Sequence, residues 1–330
     1  MSSYGASSSE VREARKELPK LNPSELFFGP WVLVPEGSLL GFFDWVPKNL
    51  RVGSWSLFAA PTLALLTAAI IYSRPEGDVY LTDPSSYPEL WSVDWWYNAS
   101  TCLLMNGLIV YIVNFKASIG AVATFTILSW LMNAARHGIN ALAPFLDDGH
   151  LLLKLNHISR FPSLASASLT FTIWNAVLFP YILLWILDDA KKRKDFIIWN
   201  FNPRMTQLHV CNMIYALLNT AVTGRRHGSL PQPFDYEDLW YGMAYGLCYG
   251  LFYTLILDRL GVHIYPIFSP RSSLVVISWL GVFASYYFCY QFWNYVISYH
   301  ENILSLSGLL GLNFVIIVCC AIIQWLFSRK

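Results

Sequence analysis

Eight apolar stretches, each about as long as a membrane span, restrict what this chain can fold into. They are residues 52–73, 93–115, 118–140, 163–187, 205–223, 239–257, 273–297 and 303–328. A helix of roughly 20 apolar residues crosses the hydrocarbon core of a bilayer. The pattern therefore predicts an all-α, polytopic membrane helix bundle with about eight transmembrane helices.

The composition agrees with a protein that has much of its surface in lipid. Only 13% of the 330 residues are charged and 55% are hydrophobic, whereas a soluble domain carries roughly 25% charged residues. The 14 Trp and 19 Tyr suit the headgroup level of a bilayer. The net charge of +1 does not suggest a nucleic-acid partner. Membrane lipids are the expected partners, and the oligomeric state stays open.

The positive charges predict an orientation. With the N-terminus in the cytosol, 16 of the 22 Lys and Arg fall in cytosolic segments, five in outer loops, and Arg136 within a span. Cytosolic loops of membrane proteins carry such an excess. We therefore expect both termini in the cytosol, in a multi-pass integral protein of the endoplasmic reticulum or plasma membrane.

The chain divides into two parts at the first span. Residues 1–51 are predicted to be a cytosolic N-terminal segment. Within it, residues 26–47 are apolar and aromatic but interrupted by Pro30, Pro35 and Glu36, which favours an interfacial position over a span. Residues 52–330 are predicted to form a single transmembrane helical domain.

Polar side chains recur on one face of the third and fifth spans. They are Thr126, Ser129, Asn133, Arg136 and Asn140 in the third, and Thr206, His209, Asn212, Asn219 and Thr223 in the fifth. Spacings of three, four and seven place residues on one helical face. Polar groups in a membrane usually pair or line a cavity, so the two stripes predict a polar cleft. Hydrogen bonding between helices, with no further role, is the alternative.

Thr126 and His209 are the candidate catalytic residues. At about 1.5 Å per residue, Thr126 lies roughly 12 Å and His209 roughly 8 Å from the cytosolic starts of their spans. Both spans run outward, so these residues can meet in the inner leaflet. A threonine hydroxyl beside an imidazole can be a nucleophile with its general base.

Ser129, Asn133, Arg136 and Asn212 are the candidate substrate-binding residues. A buried arginine needs a partner. Asp147 or Asp148, just past the end of the third span, is one candidate partner, and an anionic lipid head or a substrate carboxylate is the other. Asn212 and Arg136 are also candidate donors to an oxyanion.

No metal or cofactor is expected. His150 and His157 lie seven residues apart without a tight cluster, and the six Cys fall in apolar stretches without ligand spacing. The sequon Asn98-Ala99-Ser100 abuts a span and is expected to be unused. Gly242, Gly246 and Gly250 predict close helix packing on the sixth span.

Four short motifs occur in a fixed order along residues 118–297. They are Phe125-Thr126-Ile127-Leu128-Ser129, Phe161-Pro162 before the helix with Trp174, Leu208-His209-Val210, and Tyr265-Pro266-Ile267-Phe268. In these motifs and their order the chain resembles the androgen-induced gene family of multipass membrane threonine hydrolases.

The resemblance implies a membrane hydrolase of fatty acid esters of hydroxy fatty acids, with Thr126 as nucleophile and His209 as base. Thr124 or Ser129 can be aligned at the nucleophile position with small gaps. Relative to that family, the chain has an additional span at each end and a charged insertion at 188–204. A non-catalytic carrier or lipid-binding scaffold that uses the same cleft is the alternative function, and a metal-dependent lipid enzyme ranks last.

Overall fold

The computed structural model describes residues 55–76, 87–115, 124–187, 189–223, 232–258, 265, 268–271, 274–299 and 305–328. Within these ranges the regular secondary structure is entirely helical, which confirms the predicted all-α class. The predicted N-terminal segment 1–51 lies outside the described residues.

We number the helices of the described ranges α1 to α10 in chain order. They are α1 (Ala59–Tyr72), α2 (Val93–Phe115), α3 (Phe125–Leu142), α4 (Leu151–Ile158), α5 (Arg160–Thr172, Ile173–Leu178, Phe179–Tyr181 and Ile182–Ile186), α6 (Ala190–Asn200), α7 (Pro203–Thr206, Gln207–Cys211, Asn212–Leu217 and Leu218–Thr223), α8 (Tyr236–Phe252 and Tyr253–Leu257), α9 (Val275–Tyr299) and α10 (Leu306–Ser328). Each of the eight apolar stretches overlaps one of these helices in the described ranges. The short helices α4 and α6 lie between predicted spans.

Three helices in the described ranges are long and apolar enough to cross a membrane. They are Arg160–Trp185 in α5, Val275–Tyr299 and Leu306–Ser328, of 26, 25 and 23 residues. At about 1.5 Å per residue each exceeds the roughly 30 Å hydrocarbon core. These helices indicate a membrane protein, and the count of eight spans remains a prediction.

Several helices widen into π-helical turns. Three of these turns are Ile173–Leu178 in α5 and Gln207–Cys211 and Leu218–Thr223 in α7. Such turns are rare and concentrate at functional sites. The first two contain Trp174 and His209, respectively, so they bear directly on the candidate site.

The chain divides into two compact units. The first comprises Met1–Arg74 and Met243–Ala284, and the second comprises Pro75–Gly242 and Ser285–Lys330. The candidate site residues of α3 and α7 all belong to the second unit.

The first unit contains a buried ion pair. Arg271 Nη2 lies 2.9 Å from Asp258 Oδ2, and the two side chains are 1% and 0% exposed. Trp55 Nε1 donates to the same carboxylate oxygen at 3.0 Å. A Cβ on Gly250 of α8 would overlap the indole ring of Trp279, so this glycine is needed for helix packing, as the sequence indicated.

The core of the second unit is formed where α3, α5 and α7 pack together. α2 packs against α3, and α10 packs against α6 and α7. An apolar cluster closes one side of the polar interior; its buried members are Met105, Ile127, Trp130, Ala134, Leu208, Cys211 and Tyr215. The Trp130 indole donates to the carbonyl of Met105 at 2.9 Å, which ties α3 to α2.

Candidate functional site

The two polar stripes meet in the interior of the second unit. Asn212 Nδ2 donates to Ser129 Oγ at 3.1 Å, and Asn133 Nδ2 donates to Asn212 Oδ1 at 2.7 Å. Arg136 Nε donates to Asn219 Oδ1 at 2.9 Å. All five side chains are at most 3% exposed. The two polar stripes therefore form a buried, hydrogen-bonded interior between these helices, an arrangement that hydrogen bonding between helices by itself also produces.

These contacts define the register of α3 against α7. Ser129 pairs with Asn212 and Arg136 pairs with Asn219, and both pairs are separated by 83 residues. The partners advance together along both helices, so the two helices run parallel. Thr126 and His209 are separated by the same 83 residues and lie one turn before the Ser129–Asn212 contact.

Three hydroxyls near the start of α3 differ in their contacts. Thr124 Oγ1 accepts from the backbone N–H of Ile127 at 3.2 Å and caps the helix. Ser129 Oγ is occupied by Asn212. Thr126 is half-buried, and its hydroxyl makes no hydrogen bond to another described residue, His209 included. Of the three candidate nucleophiles, Thr126 therefore has the least committed hydroxyl.

His209 is held by an aromatic stack that the sequence did not predict. Its ring lies on Trp174 of α5, with ring centroids 4.1 Å apart and planes 10° apart. Trp174 Nε1 in turn donates to Asn200 Oδ1 at 2.7 Å. His209 is 6% exposed, and its Nδ1 is buried without a hydrogen-bond partner among the described residues.

Thr170 adds a hydroxyl that the sequence reading passed over. It lies one turn before Trp174 on α5, is 4% exposed, and its Oγ1 has no hydrogen-bond partner in the described ranges. Buried polar atoms are nearly always bonded. Thr170 is one of several exceptions in the described ranges, together with buried side chains such as Thr206 and Thr254.

Asn98 of α2 organises the other end of the polar interior. Its Oδ1 lies 2.7 Å from His137 Nδ1 and accepts from Asn219 Nδ2 at 3.1 Å. Its Nδ2 donates to the carbonyl of Thr223 at 3.0 Å. Asn98 is fully buried, so its sequon has no exposed acceptor amide. A single asparagine on an apolar helix carries no pattern that would have predicted this role.

Arg136 is bonded to neutral groups. Besides Asn219, it donates to Ser159 Oγ at 3.3 Å and to the carbonyl of Asn156. The expected ion pair with Asp147 or Asp148 is wrong, because both are exposed and neither contacts the guanidinium. α4 directs a carbonyl of its last turn at Arg136, and the negative end of a helix stabilises a cation.

The candidate residues therefore form two groups along one parallel helix pair. Ser129, Asn133 and Asn212 are joined in one cluster, and Arg136 belongs to the neighbouring cluster around Asn219 and Asn98. Thr126 and Arg136 are ten residues apart on one helix, roughly 15 Å along its axis. Among the described residues, no group of three or more His, Cys, Asp or Glu is arranged to hold a metal ion.

Comparison with known proteins does not identify the chain. No family model, curated protein or solved structure matches it.

Proposed function

We propose that this chain is a membrane lipid ester hydrolase with Thr126 as nucleophile and His209 as general base. The observation that carries the proposal is the register of α3 and α7. Ser129 pairs with Asn212 and Arg136 with Asn219 at an offset of 83 residues, and Thr126 and His209 have the same offset, which supports a position of Thr126 near His209. The neighbouring residues Ile127 and Leu208 belong to one apolar cluster, so the starts of the two helices also pack together.

The chemistry needs one proton acceptor and one hydroxyl. Thr126 Oγ attacks the ester carbonyl carbon as His209 accepts the hydroxyl proton. The bond to the alcohol oxygen then breaks, and the imidazolium returns the proton to that oxygen. Water, deprotonated by His209, cleaves the acyl-threonine and releases the acid. Catalytic hydrogen bonds are often long before substrate binds, so the unbonded Thr126 hydroxyl fits this sequence of steps.

The remaining polar residues have different roles in this proposal. Asn212 lies one turn from His209 and is therefore the better placed oxyanion donor. Removing such a donor costs about 3–4 kcal/mol of transition-state stabilisation. Arg136, roughly 15 Å along the helix from Thr126, is too distant for that role. It suits contact with a remote anionic group of the substrate, and Ser129 and Asn133 would contact the substrate between these two positions.

The substrate class and the membrane topology are parts of the same proposal. The family resemblance suggests fatty acid esters of hydroxy fatty acids, which carry both an ester and a free carboxylate. We propose about eight spans with both termini in the cytosol, which opens the site to the inner leaflet. The coincidence of all eight apolar stretches with helices supports this topology, and either the endoplasmic reticulum or the plasma membrane suits it.

A non-catalytic carrier or lipid-binding scaffold is the second candidate. The mutual hydrogen bonds of Ser129, Asn133 and Asn212 favour it, since they satisfy much of the polar interior without substrate. In that case Thr126 and His209 would contact a bound lipid without reacting.

Labelling by a fluorophosphonate probe in solubilised membranes separates these functions. We expect the wild type to label, and Thr126→Ala and His209→Ala to lose the label at unchanged expression. Thr170→Val and Thr124→Ser are the matched controls and should keep it. Loss of the label only in Thr170→Val would identify Thr170 of α5 as the nucleophile. A well-folded wild type that does not label would favour the scaffold.

A further inference from the structure

The charged helix α6 folds back along the end of α5. Phe196 stacks on Phe179 with ring centroids 5.5 Å apart, and Trp199 meets Trp174 edge-to-face at 5.9 Å. Partner numbers fall along α5 as they rise along α6, so the two helices are antiparallel. The first turn of α6 therefore lies level with the last residues of α5, and Arg193 Nε donates there to the carbonyl of Leu187 at 2.7 Å.

This end of α5 has the features of a membrane boundary. Arg160–Trp185 is long and apolar enough to span a bilayer, and Leu184 and Trp185 at its end are 62% and 78% exposed. Exposed tryptophan at the end of an apolar helix is typical of the headgroup level. The first turn of α6 is consequently placed beside lipid headgroups.

Four consecutive cations occupy the start of α6. Lys191, Lys192 and Arg193 are exposed, and Lys194 is partly exposed. Asp189 caps this helix, because its side chain accepts from the backbone N–H of Lys191 at 2.9 Å. The four cations outnumber the neighbouring carboxylates of the described residues, Asp189 and Asp195, and this excess of positive charge suits an external anion. Basic residues directly beyond a membrane helix attract anionic lipid at about 1 kcal/mol each.

We propose that residues 191–194 form a binding surface for the headgroups of anionic phospholipids, and that bound lipid stabilises the packing of α6 on α5. This packing reaches the candidate site, because Asn200 at the other end of α6 accepts from Trp174, on which His209 is stacked. Anionic lipid therefore favours the observed position of the His209 ring. The binding surface does not depend on the proposed hydrolase activity.

Lipid selectivity of the full-length protein tests the binding surface. Electron paramagnetic resonance of spin-labelled phosphatidylserine and phosphatidylcholine, in reconstituted membranes, measures the preference for each lipid at the protein surface. We expect the wild type to prefer phosphatidylserine several-fold. Changing Lys191, Lys192, Arg193 and Lys194 together to Gln should largely remove the preference.

The matched control exchanges Lys for Arg and Arg for Lys at the same four positions, which keeps the charge, and should keep the preference. Raising the salt concentration should weaken it in the wild type, because salt screens exposed charges; this measurement needs no variant to fold. A wild type without preference, or a Gln variant with an unchanged one, overturns the proposal. An unchanged preference in the Gln variant would favour an acidic soluble partner for this surface.

Reactivity of His209 towards diethyl pyrocarbonate tests the link to the site. We expect slower modification of His209 in phosphatidylserine-containing membranes than in pure phosphatidylcholine, with no such difference in the Gln variant or in Asn200→Leu. The exposed His150 is the internal control and should react equally in both. Equal His209 rates in the wild type would overturn the link.

Discussion

The guanidinium of Arg136 and the side-chain oxygen of Asn219 lie 2.9 Å apart in the protein interior, although 83 residues separate them in sequence. The amide nitrogen of Asn219 also donates to Asn98 at 3.1 Å. One asparagine therefore links α7 to both α3 and α2. Asn219 accepts one of the hydrogen bonds that the buried Arg136 guanidinium donates, and all the acceptors of these bonds among the described residues are neutral.

Replacing this asparagine should destabilise the fold. Asn219→Leu removes one hydrogen-bond partner from the charged Arg136 and one from the buried Asn98, and we expect a loss of about 1–3 kcal/mol in unfolding free energy. Thermal unfolding in detergent, followed by intrinsic fluorescence, measures it. Asn106→Leu is the control, because Asn106 is exposed and bonds only within its own turn. Equal stability of the two variants would refute the structural role of Asn219.

The sequon at Asn98 should carry no glycan, because the acceptor amide is buried and bonded to Thr223. Glycosidase treatment should leave the electrophoretic mobility of the wild type unchanged. Ser100→Ala destroys the sequon without touching Asn98 and should fold normally. Asn98→Gln should lose stability, since a longer side chain cannot keep the same contacts. A mobility shift that Ser100→Ala abolishes would contradict the buried position.

Gly242 should not tolerate a side chain. A Cβ at this position would lie 2.5 Å from Phe161 Cε1 and 3.2 Å from Tyr286 Cδ1, so Gly242→Ala should cost about 1–3 kcal/mol by overpacking. Gly311→Ala in α10 meets no atom within 4 Å and should be neutral or stabilising by about 0.5–1 kcal/mol. Denaturant or thermal unfolding of both variants makes the comparison. A neutral Gly242→Ala would mean that the helices are less tightly packed there.

The stack of Trp174 on His209 should influence the reactivity of the site more than the stability of the fold. Trp174→Phe keeps an aromatic face and should retain most of the fluorophosphonate labelling rate. Trp174→Leu fills space without stacking and should reduce the rate at least tenfold. Thermal unfolding of both variants controls for misfolding. If Phe and Leu behave alike, the aromatic stack does not position the imidazole.

The stability should decrease in mild acid through His157, which belongs to α4 between two proposed spans. Burial first, and then the Arg160 guanidinium, lower the pKa of His157, although Asp238 acts in the opposite direction. The unfolded chain then binds the proton more readily than the folded chain. The contribution of His157 is complete above the ordinary histidine pKa of about 6.5 and falls as the pH drops below it.

His157→Gln should therefore flatten the dependence of the unfolding temperature on pH between about 7 and 5. The effect of one such group is limited to about 1.4 kcal/mol per pH unit. His150→Gln, at an exposed position, should leave the wild-type profile unchanged. A profile that is identical in His157→Gln and the wild type would show that His157 does not contribute.

Much of the helical organisation could be predicted from local sequence. Each apolar stretch became a helix because membrane-length runs such as 303–328 contain enough apolar residues to specify one without help from neighbours. The polar faces of α3 and α7 also followed from spacing, since residues three and four apart share a helical face, whereas the contact of Ser129 with Asn212 was found only in the structure. The sequence did not predict helix α6, because its start is charged and resembles a loop. Its aromatic residues are stabilised by contacts with α5, which the local sequence does not show.

The sequence by itself determined that the long apolar segments form helices, that the chain suits a membrane, and which faces of α3 and α7 are polar. Only the tertiary structure decided that Trp174 stacks on His209, that Asn98 joins the polar interior, and that Arg136 has neutral partners in place of Asp147 or Asp148. The physical reason is that hydrophobicity and periodicity are properties of one segment. Contacts between helices depend on the rotation and register of several, which no single segment encodes.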